Sequence, residues 1–286
     1  MQKIRLWFGI CRPRTLFASV CPVLMGFVAI SGVQRWAVAV VTLLCGVSLQ
    51  VLSNLINDYY DFRRGSDKAG RVGPARALAE GLVSEGQMRK ACLIMLGLCV
   101  AEGLYLVLAG GWVILAIGVL SIFFAWIYTA TPHSLSYLGI ADFVCFLFYG
   151  PVATVGTAWL QIGTFSWEAL LLGCTCGCIA VCVLATNNIR DIEDDRAVGK
   201  RTFPVRFGRG AALIGVGAML AGALLFSLLG LKSYAFRWLM VLPFVLSVFL
   251  YVMLLRAKGP QYNLCLFRFG LLNACYVVAA VAVMLL

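Results

Sequence analysis

Two polar stretches, Asn57-Asp58-Tyr59-Tyr60-Asp61 and Asn187-Asn188-Ile189-Arg190-Asp191, decide how this chain is organised. A shift of 130 residues, from position 57 to position 187, places the first stretch on the second, and the match continues downstream. The superposed pairs are Asn57 with Asn187, Asp61 with Asp191, Arg71 with Arg201, Pro74 with Pro204, and Arg76 with Arg206. We call residues 57–76 acidic motif one and residues 187–206 acidic motif two. Their similarity predicts an internal repeat with two related four-helix halves.

The rest of the chain is strongly apolar. Hydrophobic residues make up 62% of the 286 residues and charged residues only 12%, whereas a soluble domain is nearer half apolar. A membrane-spanning helix needs about 20 apolar residues, and no alternation typical of an outer-membrane barrel is present. Nine spans can be placed: Leu16 to Val33, Ala37 to Ile56, Ala91 to Ala109, Trp112 to Tyr128, Ala141 to Leu160, Leu170 to Thr186, Ala211 to Leu229, Trp238 to Leu255, and Phe269 to Leu286. We therefore expect an all-α, polytopic membrane protein, a single domain over residues 1–286 with about nine helices around a central cavity.

Basic residues indicate the orientation of these spans. Twenty of the 23 lysines and arginines fall in the amino-terminal segment, in the loops after the second and sixth spans, and beside the last turn. With nine spans these segments share one side of the membrane, which the positive-inside rule makes cytoplasmic. Four spans separate the two acidic motifs, so both are expected on that same side. The net charge of +11 is thus a signal of topology in the inner (cytoplasmic) membrane, and no nucleic-acid partner is expected, because no soluble domain carries the charge.

Paired acids at the ends of spans predict a metal site. Asp58 and Asp61 are three residues apart and Asp191 and Asp195 are four apart, so each pair lies on one face of a helix. Like charges repel there, and the membrane boundary makes their burial more costly, so a cation is expected between them. Oxygen ligands of this kind suit Mg²⁺, which readily shares itself between carboxylates and a phosphorylated substrate.

Basic residues follow the acids at similar offsets in both motifs, and such residues bind phosphate oxygens. They are Arg71, Arg76, Lys200, Arg201 and Arg206. Together with the acids they predict a diphosphate site at the mouth of an apolar cavity, and an amphiphilic substrate whose tail runs into the bundle. Two acids keep alternative interpretations: Asp67 is a ligand or a loop acid paired with Lys68, and Asp142 faces the cavity or complements the positive end of its helix.

A transporter is the alternative from another class, because intramembrane acids and internal repeats also occur in ion-coupled transporters. Transporter sites usually lie near the membrane midplane. Acids at the cytoplasmic ends of spans, accompanied by phosphate-type bases, favour an enzyme.

Both motifs resemble those of the UbiA superfamily of intramembrane aromatic prenyltransferases, which carry Asn-Asp-x-x-Asp after the second span and Asp-x-x-x-Asp after the sixth. The resemblance is closest to the 1,4-dihydroxy-2-naphthoate polyprenyltransferases (MenA) of menaquinone synthesis. The resembling pieces are Arg12-Pro13-Arg14-Thr15-Leu16, Asn57 to Arg76, Tyr128-Thr129, Phe148-Tyr149-Gly150-Pro151, and Asn188 to Thr202. Where many superfamily members have a third acid this chain has Gly65, and Asp67 takes its place as in the naphthoate branch.

This resemblance implies a function and a set of site residues. The implied reaction transfers a polyprenyl group from an allylic polyprenyl diphosphate to 1,4-dihydroxy-2-naphthoate, with loss of carbon dioxide and diphosphate, giving demethylmenaquinone. Another aromatic or polar acceptor is the alternative within the superfamily. The implied residues are Asp58, Asp61, Asp191 and Asp195 for catalysis and, with Asp67, for Mg²⁺; Arg71, Lys200 and Arg201 for the diphosphate; and Asn57, Asn187 and Asp142 for further substrate contacts. Arg12 and Arg14 are alternatives for binding the naphthoate carboxylate, or else anchor the chain at the membrane.

Overall fold

The computed structural model describes residues 2–65, 76–131 and 134–286, with the side chains of residues 2, 3 and 136 excluded, so the predicted site residues Asp67 and Arg71 lie outside the described residues. Over these ranges the chain is all-helical, as predicted, and contains no strand. The α-helices are α1 (Gln2–Ile10), α2 (Phe17–Ala29), α3 (Trp36–Arg63), α4 (Glu85–Ile127), α5 (Leu135–Leu138), α6 (Ala141–Leu147), α7 (Ala153–Ile162), α8 (Trp167–Arg190), α9 (Ile192–Ala197), α10 (Phe203–Gly230), α11 (Val241–Arg256) and α12 (Gln261–Leu285). Short turns of 3₁₀ helix at Pro13–Thr15 and Arg237–Met240, and a π-helical turn at Phe148–Val152, join some of them.

Seven helical segments in the described ranges are long and apolar enough to cross a membrane. They are Trp36–Arg63, Glu85–Ile127, Ala141–Ile162, Trp167–Arg190, Phe203–Gly230, Arg237–Arg256 and Gln261–Leu285. The chain is therefore a multi-pass membrane protein. The apolar helix α2 is shorter than these, because left-handed residues at Ser31 and Gly32 follow its end. The count of nine spans stays a prediction.

Helix α4 folds back on itself at Gly111. Its backbone there has φ 69° and ψ −156°, a conformation that is essentially restricted to glycine. Tyr60 packs in one apolar cluster with Cys92, near the start of α4, and its ring centroid is 5.6 Å from that of Trp126, near the end. A straight helix would separate Cys92 from Trp126 by about 50 Å. The two arms of this hairpin correspond to the predicted spans Ala91 to Ala109 and Trp112 to Tyr128.

Side chains from other elements close the turn of this hairpin. Trp159 Nε1 donates a hydrogen bond of 2.9 Å to the Gly110 carbonyl, and an Arg35 Nη1–H donates to the Ala109 and Leu160 carbonyls, each at 3.1 Å. Gln161 Oε1 accepts from the backbone N–H groups of residues 34 and 35 at 3.0 and 2.8 Å. We call this set the far-end clasp, since it lies at the opposite end of the bundle from the acidic motifs. It satisfies backbone groups that the turn removes from the helical ladder.

Helix pairing agrees with the predicted repeat. The two most extensive helix contacts are those of α3 with α4 and of α8 with α10, and the shift of 130 residues carries α3 onto α8. Helix α8 lies at the centre, where it also packs against α2, α6 and α12. Both α3 and α8 continue past the apolar part of their spans, so they present the acidic motifs at one end of the bundle.

We expect Gly111→Ala to lower the free energy of unfolding by about 1–3 kcal/mol, because alanine is strained at this φ and ψ. The added methyl group would meet no atom within 4 Å, so the loss would be conformational. Gly97→Ala in the same helix, also without neighbours within 4 Å, is the control and should not destabilise. Denaturant titrations in mixed micelles measure both changes, and equal stability of the two variants would show that the turn does not need glycine.

Candidate active site

Acidic motif one lies on the last turns of α3. Asp58 and Asp61 are each only 3% exposed, and each forms ion pairs with basic side chains. Asp58 contacts Arg12 and Arg76, and Asp61 Oδ2 lies 3.6 Å from Arg76 Nη2. Asn57 Oδ1 accepts a hydrogen bond of 3.3 Å from Thr129. The two acids therefore share Arg76.

Acidic motif two surrounds the break between α8 and α9. Arg190 donates from Nε and Nη2 to the two oxygens of Asp191, both at 2.7 Å, a bidentate geometry typical of strong ion pairs. The same guanidinium donates to Asn187 Oδ1 at 2.8 Å and to Asn263 Oδ1 on α12 at 2.7 Å. The helix ends at Asp191 instead of continuing as the spacing predicted, but the Asp195 N–H still donates to the Asp191 carbonyl at 2.8 Å.

Lys200 joins the two motifs. Its Nζ lies 3.7 Å from Asp61 Oδ1 of motif one and 3.7 Å from Asp195 Oδ1 of motif two. Residues separated by more than 130 positions are thus held within reach of one ammonium group. The structure therefore brings Asp58, Asp61, Asp191, Asp195 and Lys200 to one end of the bundle, where the sequence predicted a common site.

Not every predicted residue joins this cluster. Arg201 is exposed, and within the described ranges no ion pair links it to the four aspartates. Arg206, the repeat partner of Arg76, is also exposed and lies over the ring of Phe207 at 5.3 Å. Asp142 is half-buried near the start of α6, and its Oδ1 is buried with no hydrogen-bond partner among the described residues.

Three arginines contact the acids: Arg12, Arg76 and Arg190. The sequence placed Arg76 among the bases of the diphosphate site and Arg12 as an alternative for binding the naphthoate carboxylate, whereas it predicted no role for Arg190. Arg190 belongs to the second repeated stretch, and Arg76 is one of the residues that the repeat superposes. The repeat therefore pointed to both positions. Arg76 is 7% exposed. Burial lowers the pKa of Arg76 well below its ordinary value, and the neighbouring Arg12 lowers it further. The ion pairs with Asp58 and Asp61 offset the desolvation cost of this buried charge.

The donor set fits Mg²⁺ in its chemistry. All four aspartates offer hard carboxylate oxygens, and Asp61 Oδ1 is buried and accepts no hydrogen bond from the described residues, with Lys200 Nζ at ion-pair distance. In the same part of the chain, however, no three acidic, histidine or cysteine side chains are grouped closely enough to hold an ion. The aspartates instead contact basic side chains, so a metal would have to exchange with those partners.

A cavity of about 810 Å³ lies within the bundle; the four aspartates and Lys200 are not part of its wall, but arginines that pair with the aspartates are. Arg12, Asn57, Arg76, Asn187 and Arg190 line its charged end, and Leu106, Ile114 and Leu160 line its far end. Along α3 its wall runs from Thr42 to Asn57, which is about 22 Å of helix. Most of the wall is apolar, so the cavity suits a long hydrocarbon chain attached to a charged group.

The fold and the site define a class, a polytopic helical membrane protein with a buried charged site over an apolar cavity. Residues 19–284 match the model of the UbiA prenyltransferase family, and the chain belongs to that family. It is 33% identical over 270 residues to a 1,4-dihydroxy-2-naphthoate octaprenyltransferase of Escherichia coli, covering 88% of this chain and 86% of the relative. The enzyme of that description from Mycobacterium tuberculosis is 32% identical over 264 residues, with 91% and 87% covered.

Solved structures share the fold. A UbiA homolog from Archaeoglobus fulgidus bound to GPP and Mg²⁺ has a TM-score of 0.68 at 19% identity, with 98% of this chain and 99% of that chain covered. Another structure of the same homolog, bound to Cd²⁺, has a TM-score of 0.69 at 17% identity, with the same coverage. The family match favours the enzyme over the transporter.

We expect Arg190→Met to destabilise the protein by about 3–5 kcal/mol, because it leaves Asp191 buried without its bidentate partner. The side chains of this pair are only 2% and 6% exposed. Arg196→Met is the matched control, since it removes an ion pair with Glu193 whose side chains are 56% and 83% exposed, and it should cost less than about 1 kcal/mol. Thermal unfolding in detergent gives both values. Similar losses in the two variants would contradict a structural role for the buried pair.

Proposed function

We propose that this protein transfers a polyprenyl group from an allylic polyprenyl diphosphate to 1,4-dihydroxy-2-naphthoate in the cytoplasmic membrane. The observation that carries the proposal is the meeting of the two acidic motifs at Lys200, next to an apolar cavity whose charged end is lined by the arginine partners of these acids. The relatives from Escherichia coli and Mycobacterium tuberculosis, which match most of the chain, support the naphthoate as acceptor. The distribution of basic residues supports a site that faces the cytoplasm.

The acids and the bases would have different roles at the diphosphate. Asp58, Asp61, Asp191 and Asp195, with Asp67, would hold Mg²⁺, and bound Mg²⁺ would stabilise negative charge that develops on the leaving diphosphate. Lys200, with Arg71 and Arg201, would neutralise the diphosphate oxygens. Arg76 and Arg12 join this group because they line the charged end of the cavity. When the diphosphate binds, its oxygens would replace the aspartates as partners of Arg12, Arg76 and Lys200.

Other polar residues would position the substrates. Asn57 and Asn187 line the cavity next to the charged cluster, where their amide groups can bind diphosphate or acceptor oxygens. Asp142 is not part of the cavity wall, but it remains a candidate substrate contact because its Oδ1 is buried with no hydrogen-bond partner in the described part of the chain.

The reaction itself needs little from the protein beyond positioning and electrostatics. The allylic C–O bond breaks and its electron pair stays on the diphosphate. The ring of the naphthoate attacks the allylic carbon, and the bond to the carboxylate then breaks, returning its electron pair to the ring as carbon dioxide leaves. The balanced product is demethylmenaquinone in its reduced, quinol form. Phe124, Phe148 and Tyr149 line the cavity, and their ring faces can stabilise the allylic cation, while the apolar wall excludes water.

The test is incubation of the purified protein in lipid with polyprenyl diphosphate, ring-labelled and carboxyl-labelled naphthoate, and Mg²⁺. We expect one prenylated product and one released carbon dioxide per turnover, and no turnover after chelation of divalent metal. Hydroxybenzoate and homogentisate with the same donor serve as acceptor controls. Faster prenylation of either control would identify that compound as the preferred acceptor. Absence of prenylation of all three acceptors would refute the proposed prenyltransferase activity.

We expect Asp195→Asn to lower kcat/KM by about a hundredfold or more, because it removes charge that acts on the transition state. Asp194→Asn is the matched control one residue earlier in α9, where the side chain is exposed and should not matter. Steady-state kinetics and a thermal melt for each variant separate loss of activity from loss of fold. Full activity of the Asp195→Asn variant would show that the charge of Asp195 has no role in catalysis.

A further inference from the structure

Four arginines of the described chain line the cavity: Arg12, Arg14, Arg76 and Arg190. Three of them form ion pairs with the aspartates of the acidic motifs. Arg14 differs, since its guanidinium carbon lies 5.6 Å from the ring centroid of Phe267 on α12, and within the described residues no carboxylate pairs with it. It is therefore the cavity arginine whose charge is not already matched by an acid of the site.

Arg14 stands close to the charged cluster without being part of it. Phe267 follows Asn263 by one turn of α12, and Asn263 accepts a hydrogen bond from Arg190. Phe267, which Arg14 contacts, thus lies roughly 6 Å farther along α12 than Asn263, which Arg190 contacts. Both Phe267 and Asn263 line the cavity, so Arg14, Phe267 and Asn263 form one continuous strip of its wall.

The backbone that carries Arg14 is held in place. Pro13–Thr15 is a 3₁₀ turn, and the Thr15 N–H and hydroxyl both donate to the Arg12 carbonyl, at 2.8 and 2.9 Å. Asn54 on α3 donates to the Thr15 hydroxyl at 3.1 Å. The side chain of Arg14 itself is exposed. A fixed backbone with an accessible guanidinium is suited to receive a ligand.

We propose that Arg14 binds the carboxylate of the aromatic acceptor and so selects a carboxylated ring, an inference that rests on the proposed function. A guanidinium binds a carboxylate through two parallel hydrogen bonds, and the ring of Phe267 beside it offers an apolar face for an aromatic substrate. Arg12, the other candidate from the sequence, is less suited because it contacts Asp58. The acceptor would then lie at the rim of the cavity, beside the allylic carbon of the donor.

This role has a kinetic signature. The carboxylate becomes neutral carbon dioxide during the reaction, so its attraction to Arg14 is present in the bound substrate and is lost afterwards. Such an interaction lowers KM and does not raise kcat. The expected effect of losing Arg14 is therefore on the affinity for the acceptor, with kcat and the KM for the polyprenyl diphosphate unchanged.

The experiment compares wild type and Arg14→Gln with two ligands, 1,4-dihydroxy-2-naphthoate as substrate and reduced 1,4-dihydroxynaphthalene, which lacks the carboxylate, as competitive inhibitor. A hydrogen-bonded charge contributes about 1.5–3 kcal/mol, so Arg14→Gln should raise the KM of the naphthoate roughly 10- to 150-fold. The inhibition constant of 1,4-dihydroxynaphthalene should stay within about twofold. Arg14→Lys should restore part of the affinity.

Arg5→Gln is the matched control, because Arg5 is exposed on α1 and outside the cavity wall, and it should leave all constants unchanged. Phe267→Leu, which removes the ring under the guanidinium, should weaken the naphthoate and the analogue alike. Equal weakening of both ligands by Arg14→Gln, or no change in the naphthoate KM, would overturn the role of Arg14 while the prenyltransferase function stood. A wild-type protein without naphthoate turnover would instead refute the proposed function.

Discussion

Burying four aspartates at one end of an apolar bundle is the constraint on which the rest of the structure depends. Removing a carboxylate from water costs several kcal/mol even after relaxation, unless a cation and hydrogen bonds compensate. Each aspartate here contacts a basic side chain, and these bases are Arg12, Arg76, Arg190 and Lys200. Some pairs are neighbours in the chain, such as Arg190 with Asp191, whereas the pairs of Arg12 with Asp58 and of Lys200 with Asp61 join distant segments. The pair of Lys200 with Asp61 links the acidic motifs of the two predicted halves, so the charged site helps to hold the halves together.

The same constraint shapes the helices. Helices α3 and α8 extend beyond their apolar segments, so Asn57, Asp58, Asp61, Asn187 and Arg190 lie on regular helical backbone. Side chains on a helix are positioned more precisely than side chains on a loop. Below them the wall of the cavity is built from the apolar parts of the same helices, which places the charged group and the hydrocarbon of one substrate on a common axis.

Much of this arrangement followed from the sequence, since long apolar runs with basic flanks specify helices and their order with little dependence on tertiary contacts. The repeat also predicted that Asp61 and Asp195 would come together. The repeat did not predict which arginines contact the acids, because two segments with the same sequence pattern can pack against different neighbours. Arg76 is buried between Asp58 and Asp61, whereas its repeat partner Arg206 is exposed. Which arginine meets which acid depends on packing between elements far apart in the chain, as with Arg12 and Asp58.

The far-end clasp bears on how the protein is assembled. Arg35 and the Gly110 turn belong to the amino-terminal half, whereas Trp159 and Gln161 belong to the carboxy-terminal half. Backbone groups of the α4 turn and of residues 34–35 obtain these partners only after α7 has entered the bundle, and a backbone group that is buried without a partner costs free energy. The clasp therefore joins the two predicted halves, and we expect each half to be less stable alone than within the whole chain.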